Sequence, residues 1–506
     1  MATPTDKLAA SLEVLKQLQD DGVVAIRSAQ LSRTHRERLL KNGFLAEVMK
    51  GWYIPSRPDE AQGESTAWYA SFWEFCAGYL NERFGEEWCL APEQSLQLIT
   101  GDATVPRQLM VRTPDGGNKP ITLPHQTSIF DMRLALPPAA DIEVREGLRL
   151  YGLSAALIAI PASVYQASPV TLRVALAMLR DASELLVRLL EGGHSTVAGR
   201  LAGALRSIGS ERIADDIVDT MRAAGYTVTE SDPFVGSLPA HIDLRVSSPY
   251  INRMNMSWQN LRAEILAHVP LPPAEREDKT AYLQQVDDVY VTDAYHSLSI
   301  EGYRVSTELI ERVRSGKWDP DNLAADRSHR DALAARGYWQ AFQRVRQSLA
   351  RILDGENAGA VVEDEHAVWY RELFAPSVNA GILRPADLAG YRTGPVYIRR
   401  SKHVPPRSEA VRELMPAFFA LLQEEQEPAV RVVLGHFVFV YIHPYFDGNG
   451  RMGRFMMNAM LAAGGYPWTV IPVERRGDYM AALEAASVDG NIVPFAQFIG
   501  SLVRGE

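Results

Sequence analysis

The spacing of apolar residues changes character along the chain. Leu8, Leu12, Leu15 and Leu18 recur at helical spacing and Gly22 stops the run, which predicts a helix over 6–20. The next stretch, VVAIRSAQLSRTHRERLLKNGFLAEVMKGWYIP, reads as a short element, a basic helix around 32–42 capped by Gly43, and two strand-like runs meeting at Lys50-Gly51. From 60 to 225 helical and strand-like pieces alternate, and LRVALAMLRDASELLVRLL and TVAGRLAGALRSIG carry the apolar stripes of packed amphipathic helices. A linker-like GYTVTESDPFVGSLPA (225–240) follows. Beyond it the period is helical, with helices expected at 258–268, 282–300, 304–314, 326–353, 364–375, 407–425, 428–442, 451–463 and 476–487. The series breaks at YRTGPVYIRRSKHVPP (391–406), where Val396, Tyr397 and Ile398 predict a short extended hairpin.

The expected fold is therefore mostly α. A helical bundle with one β-hairpin flap fills 281–506, a linker and leading helix occupy 226–280, an α+β domain covers 59–225, and a winged helix-turn-helix covers 1–58. Composition adds limits. The 506 residues are 46% hydrophobic and 23% charged, as in ordinary globular chains, with no run of eighteen apolar residues and a charged, helix-like start. A cytoplasmic protein with no membrane partner is the expectation. Cys76 and Cys89 lack partners at zinc spacing and read as packing residues. Net charge is -10, which argues against nucleic acid over the whole surface. Yet residues 1–58 hold nine Lys or Arg against six acids, so the basic charge is concentrated there.

Residues 443–454, HPYFDGNGRMGR, concentrate chemistry. AVRVVLGHFVFVYI before them is apolar on nearly all sides and should be buried, and Pro444 disfavours helix at His443, leaving that histidine at the end of a rigid rod. Gly448 and Gly450 permit positive φ, and the chain restarts as RMGRFMMNAMLAA, ended by Gly464-Gly465. The turn is thus a helix N-terminus, whose free amides and dipole suit a polyphosphate. Arg451 and Arg454 project from one face to grip further phosphate oxygens, and Asp447 offers an oxygen where Mg²⁺ (or Mn²⁺) would sit. With His443 able to take a proton near neutral pH, the set points to phosphoryl or nucleotidyl transfer to a hydroxyl.

These residues resemble the Fic family motif HPFx(D/E)GNGRxxR, with Tyr445 where phenylalanine is usual. With about eight specified positions, a chance match is on the order of 10⁻⁸, which separates it from short motifs. The resemblance implies a protein adenylyltransferase that moves AMP from ATP to a Ser, Thr or Tyr hydroxyl of a target protein, or of itself. His443 would be the general base and Asp447 the metal ligand. Asn449, with the amides at Gly448 and Gly450, would hold the α-phosphate, and Arg451 and Arg454 the outer phosphates. The 391–406 segment resembles the family's flap, which holds a target peptide by strand addition. Ile398 would sit beside the target side chain and Val404-Pro405 at the edge of the nucleotide pocket. SLSIEG (297–302) resembles the inhibitory pattern [S/T]xxxE[G/N], in which Glu301, supported by Ser297 and followed by Gly302, would take Arg454 away from the γ-phosphate. In that subclass the same glutamate can also assist removal of AMP from a target. Tyr479 would line the adenine pocket by family analogy, with core packing an equal alternative.

The N-terminal region, through NGFL, KGWYIP and LAPEQSLQLITGDATVPRQLMVRT, resembles abortive-infection type IV antitoxin regulators. That implies Arg33, Arg36 and Arg38 on a helix facing DNA, together with His35, and Lys50 at a wing tip. Winged helices also dock proteins, so a DNA-binding regulator whose Fic domain senses nucleotide stays open beside the enzyme. A homo-oligomer stays open too.

Overall fold

The computed structural model describes residues 3–58, 65–235, 246, 248–273, 278–318 and 330–505. Contacts divide the chain into two units, Met1–Arg253 with Tyr397–Val404, and Met254–Val396 with Pro405–Glu506. Part of the expected linker and the first residues of the 326–353 helix lie outside the described residues.

The first unit opens with α1 (Pro4–Asp20), β1 (Ile26–Arg27), α2 (Arg33–Lys41), β2 (Leu45–Met49) and β3 (Trp52–Pro55). Thr3 and Asp6 close a capping box on α1. The strands form an antiparallel sheet in the order β1-β3-β2, with Ile26 opposite Tyr53 and Leu45 opposite Pro55. Leu15, Ile26, Leu31, Leu39, Leu45 and Tyr53 give this segment a core of its own. A larger core follows, built on α3 (Thr66–Phe84), whose Trp68, Phe72, Phe75 and Leu80 are buried. It packs with β4 (Cys89–Leu90), α4 (Pro92–Ile99), β5 (Gln108–Thr113), β6 (Pro120–Leu123) and β7 (Thr127–Arg133), in sheet order β4-β5-β7-β6 with β5 and β7 parallel. The hairpin β8 (Ile142–Arg145) and β9 (Leu148–Tyr151) turns at Glu146-Gly147, both at positive φ, as a two-residue hairpin turn requires. Six helices then run from α5 (Leu153–Ala159) through α6 (Ser163–Ala167), α7 (Pro169–Ala177), α8 (Ser183–Gly192) and α9 (Ser195–Ser207) to α10 (Glu211–Ala223). Cys76 and Cys89 are free and buried, as packing residues should be.

The second unit is helical: α11 (Pro249–His268, from Met254), α12 (Lys279–Ile300), α13 (Thr307–Arg314), α14 (Arg330–Leu353), α15 (Ala358–Asn379), α16 (Ser408–Glu424), α17 (Pro428–Ile442), α18 (Asn449–Gly464), α19 (Arg476–Val488) and α20 (Val493–Val503). The boundary falls inside α11 rather than at 280. Met254, Met256 and Trp258 are buried, and the Trp258 indole donates to Glu425 Oε2 at 2.9 Å, so the leading helix belongs to the bundle. The long helices match the periodic segments; the C-terminal α20 is an addition.

The 391–406 segment departs from expectation. No strand forms there: the chain reverses in a turn closed by Ser401 N–H to Ile398 O (3.1 Å), with Arg400 at φ 63°. Lys402 O accepts from Val105 N–H, Arg400 N–H donates to Thr66 Oγ1, and Val404 packs on the larger core of the first unit. These bonds replace the cross-strand ladder, and Pro405-Pro406 removes two of the donors a ladder needs.

Helix α12 is locked into the bundle by Asp293. Its buried carboxylate accepts from Tyr338 OH at 2.6 Å on α14 and from Trp468 Nε1 at 3.2 Å. Burial pushes its pKa up to about 6, against the hydrogen bonds and the Arg454 charge. A carboxyl raised on folding favours the fold below its unfolded value and loses that contribution as pH rises through about 6. Asp293→Asn removes the charge and keeps one acceptor: Oδ1 can still accept from Trp468 Nε1, while Nδ2 donates to the Tyr338 hydroxyl oxygen, which can accept as well as donate. We expect it to raise unfolding free energy at pH 7.5 by on the order of 2 kcal/mol and to flatten the decline between pH 5 and 7.5. Urea denaturation at the two pH values checks this.

Candidate active site

The site is built where α17 ends and α18 begins. Pro428 starts α17, whose Val430, Val432, Val433, Leu434 and Phe439 are buried, so the rod is held on all sides. Pro444 prevents continuation and His443 becomes the C-cap in left-handed backbone, φ 52° and ψ 59°. Its Nδ1 lies 3.1 Å from Val440 O. A carbonyl only accepts, so Nδ1 carries the proton and Nε2 the lone pair that a general base needs.

Tyr445 stacks on Tyr370 with centroids 3.8 Å apart, so the departure from phenylalanine keeps the aromatic packing. Gly448 caps α18 at φ 81°, and a Cβ there would stand 2.7 Å from the Phe374 ring, so both backbone and space demand glycine. No side chain caps this end. The helical ladder begins with Met452 N–H to Gly448 O, so the amides of Asn449, Gly450 and Arg451 precede it and form an anion cradle. Asp447 Oδ1 accepts from Gly448 N–H at 2.6 Å, and the carboxylate is exposed. Among the described residues no three His, Cys, Asp or Glu gather as a metal cage. A lone exposed carboxylate beside a phosphate cradle fits Mg²⁺, which keeps waters and takes substrate phosphate oxygens.

Three motif residues make contacts that the sequence did not show. Gly450 lies in the first turn of α18, not at positive φ; a Cβ there would collide with Glu301 Oε1, so its bareness admits the glutamate. Asn449 holds the turn: Oδ1 accepts from Tyr445 N–H at 3.0 Å and Nδ2 donates to Tyr445 O at 2.8 Å. Arg451 is buried, with its guanidinium 5.2 Å from the Tyr303 ring, 5.0 Å from the Phe374 ring and 3.4 Å from Asp447 Oδ1.

Ser297 and Glu301 meet Arg454. Arg454, 4% exposed, gives Nε to Ser297 Oγ (2.9 Å) and Nη2 to Ser297 O (3.0 Å) and to Glu301 Oε1 (2.7 Å). Burial alone would raise the Glu301 pKa, but Arg454 and then Arg451 outweigh it and hold the carboxyl below its usual range. Glu301 itself caps α12. Tyr303 N–H reaches Leu298 O and Gly302 N–H reaches Ser299 O, a Schellman ending with Gly302 left-handed at φ 87°. That geometry explains why glycine or asparagine follows the glutamate.

Tyr479 is buried at 1% exposure, its hydroxyl pairs with His436 Nε2 at 2.7 Å and lies beside Arg454, so it packs in the core behind the Arg454–Glu301 pair and is not a wall open to adenine. Burial lowers the His436 pKa to about 4 and keeps it neutral. Ile398 and Val404 group with the first unit and Pro405 with the second. In the N-terminal segment Arg38 braces α1 through Lys7 O and Ser11 Oγ, and Arg36 bonds Ser28 O. His35 Nδ1 meets Ser11 Oγ at 2.9 Å. Arg33, paired with Glu37, and Lys50 are exposed. Sequence reasoning missed Tyr303, Phe374 and Arg392, none of which carries a local pattern.

The second unit therefore brings together His443 at the end of a buried helix, a helix start with free amides, and Glu301 paired with Arg454 one turn further along that helix. Residues 363–461 match the model of the Fic/DOC family. Protein adenylyltransferase Fic of Nematostella vectensis is 30% identical over 231 residues, 45% of this chain and 48% of that one. The protein of that name from Drosophila grimshawi is 31% identical over 228 residues, 44% and 42%. The chain thus spans less than half the length of these relatives. A solved Fic-1 structure from C. elegans, at 20% identity and TM-score 0.37, covers 70% of this chain and 88% of that one, too loose a superposition to add to the sequence match.

Gly302→Val should cost about 1–2 kcal/mol or more, while Gly302→Asn, which tolerates the left-handed region, should stay near wild type. Denaturant unfolding of the two variants measures the difference.

Proposed function

We propose that this protein is an autoinhibited protein adenylyltransferase that moves AMP from ATP to a hydroxyl of a target protein. The observation that carries the reading is Glu301 sitting on Arg454 beside an intact base and phosphate cradle. The names of the relatives, protein adenylyltransferases matched through the same half of the chain, support it. The target oxygen attacks the α-phosphorus, its proton passes to His443 Nε2, and the bond from the α-phosphorus to the α,β-bridging oxygen breaks, releasing pyrophosphate. The first-turn amides of α18 stabilise charge gathering on the phosphoryl oxygens. A Mg²⁺ or Mn²⁺ held by Asp447 would neutralise phosphate charge when bound.

In the observed state Ser297 and Glu301 occupy Nε and Nη2 of Arg454 and leave only Nη1 for a γ-phosphate. Inhibition is then competition between two anions for one buried guanidinium. The reading includes a cytoplasmic setting, in keeping with ATP as substrate and two free thiols.

Wild type, Glu301→Gly and His443→Ala incubated with α-labelled ATP and Mg²⁺ test the proposal, with label followed on the protein and in a cell lysate. Weak label in wild type and strong label in Glu301→Gly are expected. In Glu301→Gly/His443→Ala the rate should fall about 10²–10⁴-fold. Equal label with and without His443, or label appearing only from UTP, overturns it.

A further inference from the structure

Arg392 is 1% exposed, and its guanidinium bonds to four backbone carbonyls, with the Glu409 carboxylate near enough to act on its charge. Nε donates to His443 O at 2.8 Å, Nη1 to Gly394 O at 3.0 Å, and Nη2 to Pro406 O and to Ile442 O, the latter at 3.4 Å. Its own N–H donates to Pro444 O at 2.9 Å. One residue thus grips the carbonyls of 442, 443 and 444 in succession, and with the same fork it reaches Gly394 and Pro406, which flank the 397–404 segment on either side.

The first three carbonyls end α17, where helical acceptors run out and the negative end of the dipole lies. A fixed cation there is favourable, and it matters most at His443. Left-handed backbone costs a residue with a Cβ roughly 1–2 kcal/mol and persists only where the surroundings impose it. The His443 amide is bound to Phe439 O at 3.0 Å, and Arg392 binds its carbonyl. With both peptide groups fixed, the ring stays where Nδ1 meets Val440 O. We propose that Arg392 is the positioning residue of the transfer reaction, setting the conformation of His443 and the two ends of the flap together through one guanidinium.

The inference rests on the transfer reading above. Lysine keeps the cation but not the planar fork, and three donors on one nitrogen cannot reach carbonyls on separate sides. In the Glu301→Gly background, Arg392→Lys should lower kcat for AMP transfer at least about tenfold. The Kd for ATP and its binding stoichiometry should stay within about threefold, because the phosphate cradle on α18 is untouched. Imidazole ¹⁵N spectra supply a readout independent of activity: His443 should show the Nδ1–H tautomer in the parent and an averaged signal in Arg392→Lys.

Unchanged kcat overturns the inference. So does parallel loss of ATP stoichiometry and kcat, which marks a merely structural role. If the Glu301→Gly parent transfers no AMP, the proposed function falls instead, and the ¹⁵N spectra alone then decide on Arg392, identical His443 signals refuting it.

Discussion

The arrangement turns on one buried guanidinium. Arg454 stands in the second turn of α18, where it has lost water and must find an anion, because an unpaired buried charge costs several kcal/mol. In this structure α12 supplies the anion through Glu301, with Ser297 holding two further donors. A nucleotide at the cradle would supply another. If a nucleotide were to replace the glutamate, Arg454 would never stand alone, the state that burial makes most unfavourable. A buried ion pair is weak evidence for stability, but it is well suited to specifying which of two packings forms.

What yields is defined by how α12 is anchored. Asp293 ties the helix to Tyr338 and Trp468, His296 Nδ1 accepts from Val473 N–H, and Arg476 Nε donates to Ile300 O. These bonds fix the last two turns of the helix but none involves the Glu301 side chain. That side chain is 25% exposed and sits on a C-cap followed by a left-handed glycine, the least constrained point of the element. Displacing the carboxylate therefore requires a rotation at the helix end, whereas removing α12 would strip Asp293 of its partners.

Much of this was legible in the chain. The helices of the bundle follow the 3.6-residue period because each buries a stripe, and the HPYFDGNGRMGR segment announces a rod, a turn and a helix start through proline and glycine alone. The Ser297 and Glu301 pairing with Arg454 was legible as motif spacing. Other roles were not. Asn449 and Arg451 sit among motif residues, yet one is spent on Tyr445 and the other between Tyr303 and Phe374, contacts formed by segments distant in sequence. Tyr479 reads equally as a pocket wall or as core until His436 is found 2.7 Å away. The flap failed as a strand because its donors and acceptors are satisfied by Thr66 and Val105, more than 290 residues away.

That failure also shows why a local pattern cannot settle a strand. A run such as Val396-Tyr397-Ile398 has the right residues, but a ladder forms only if the opposite arm presents matching donors and acceptors. Here the opposite arm contains Pro405 and Pro406, and Arg392 takes the carbonyls at both ends of the segment. The segment is held by its ends and by its tip, leaving its extended form without internal pairing. An element of that kind takes its conformation from what binds it, and strand addition by a target would supply the ladder that the chain itself omits.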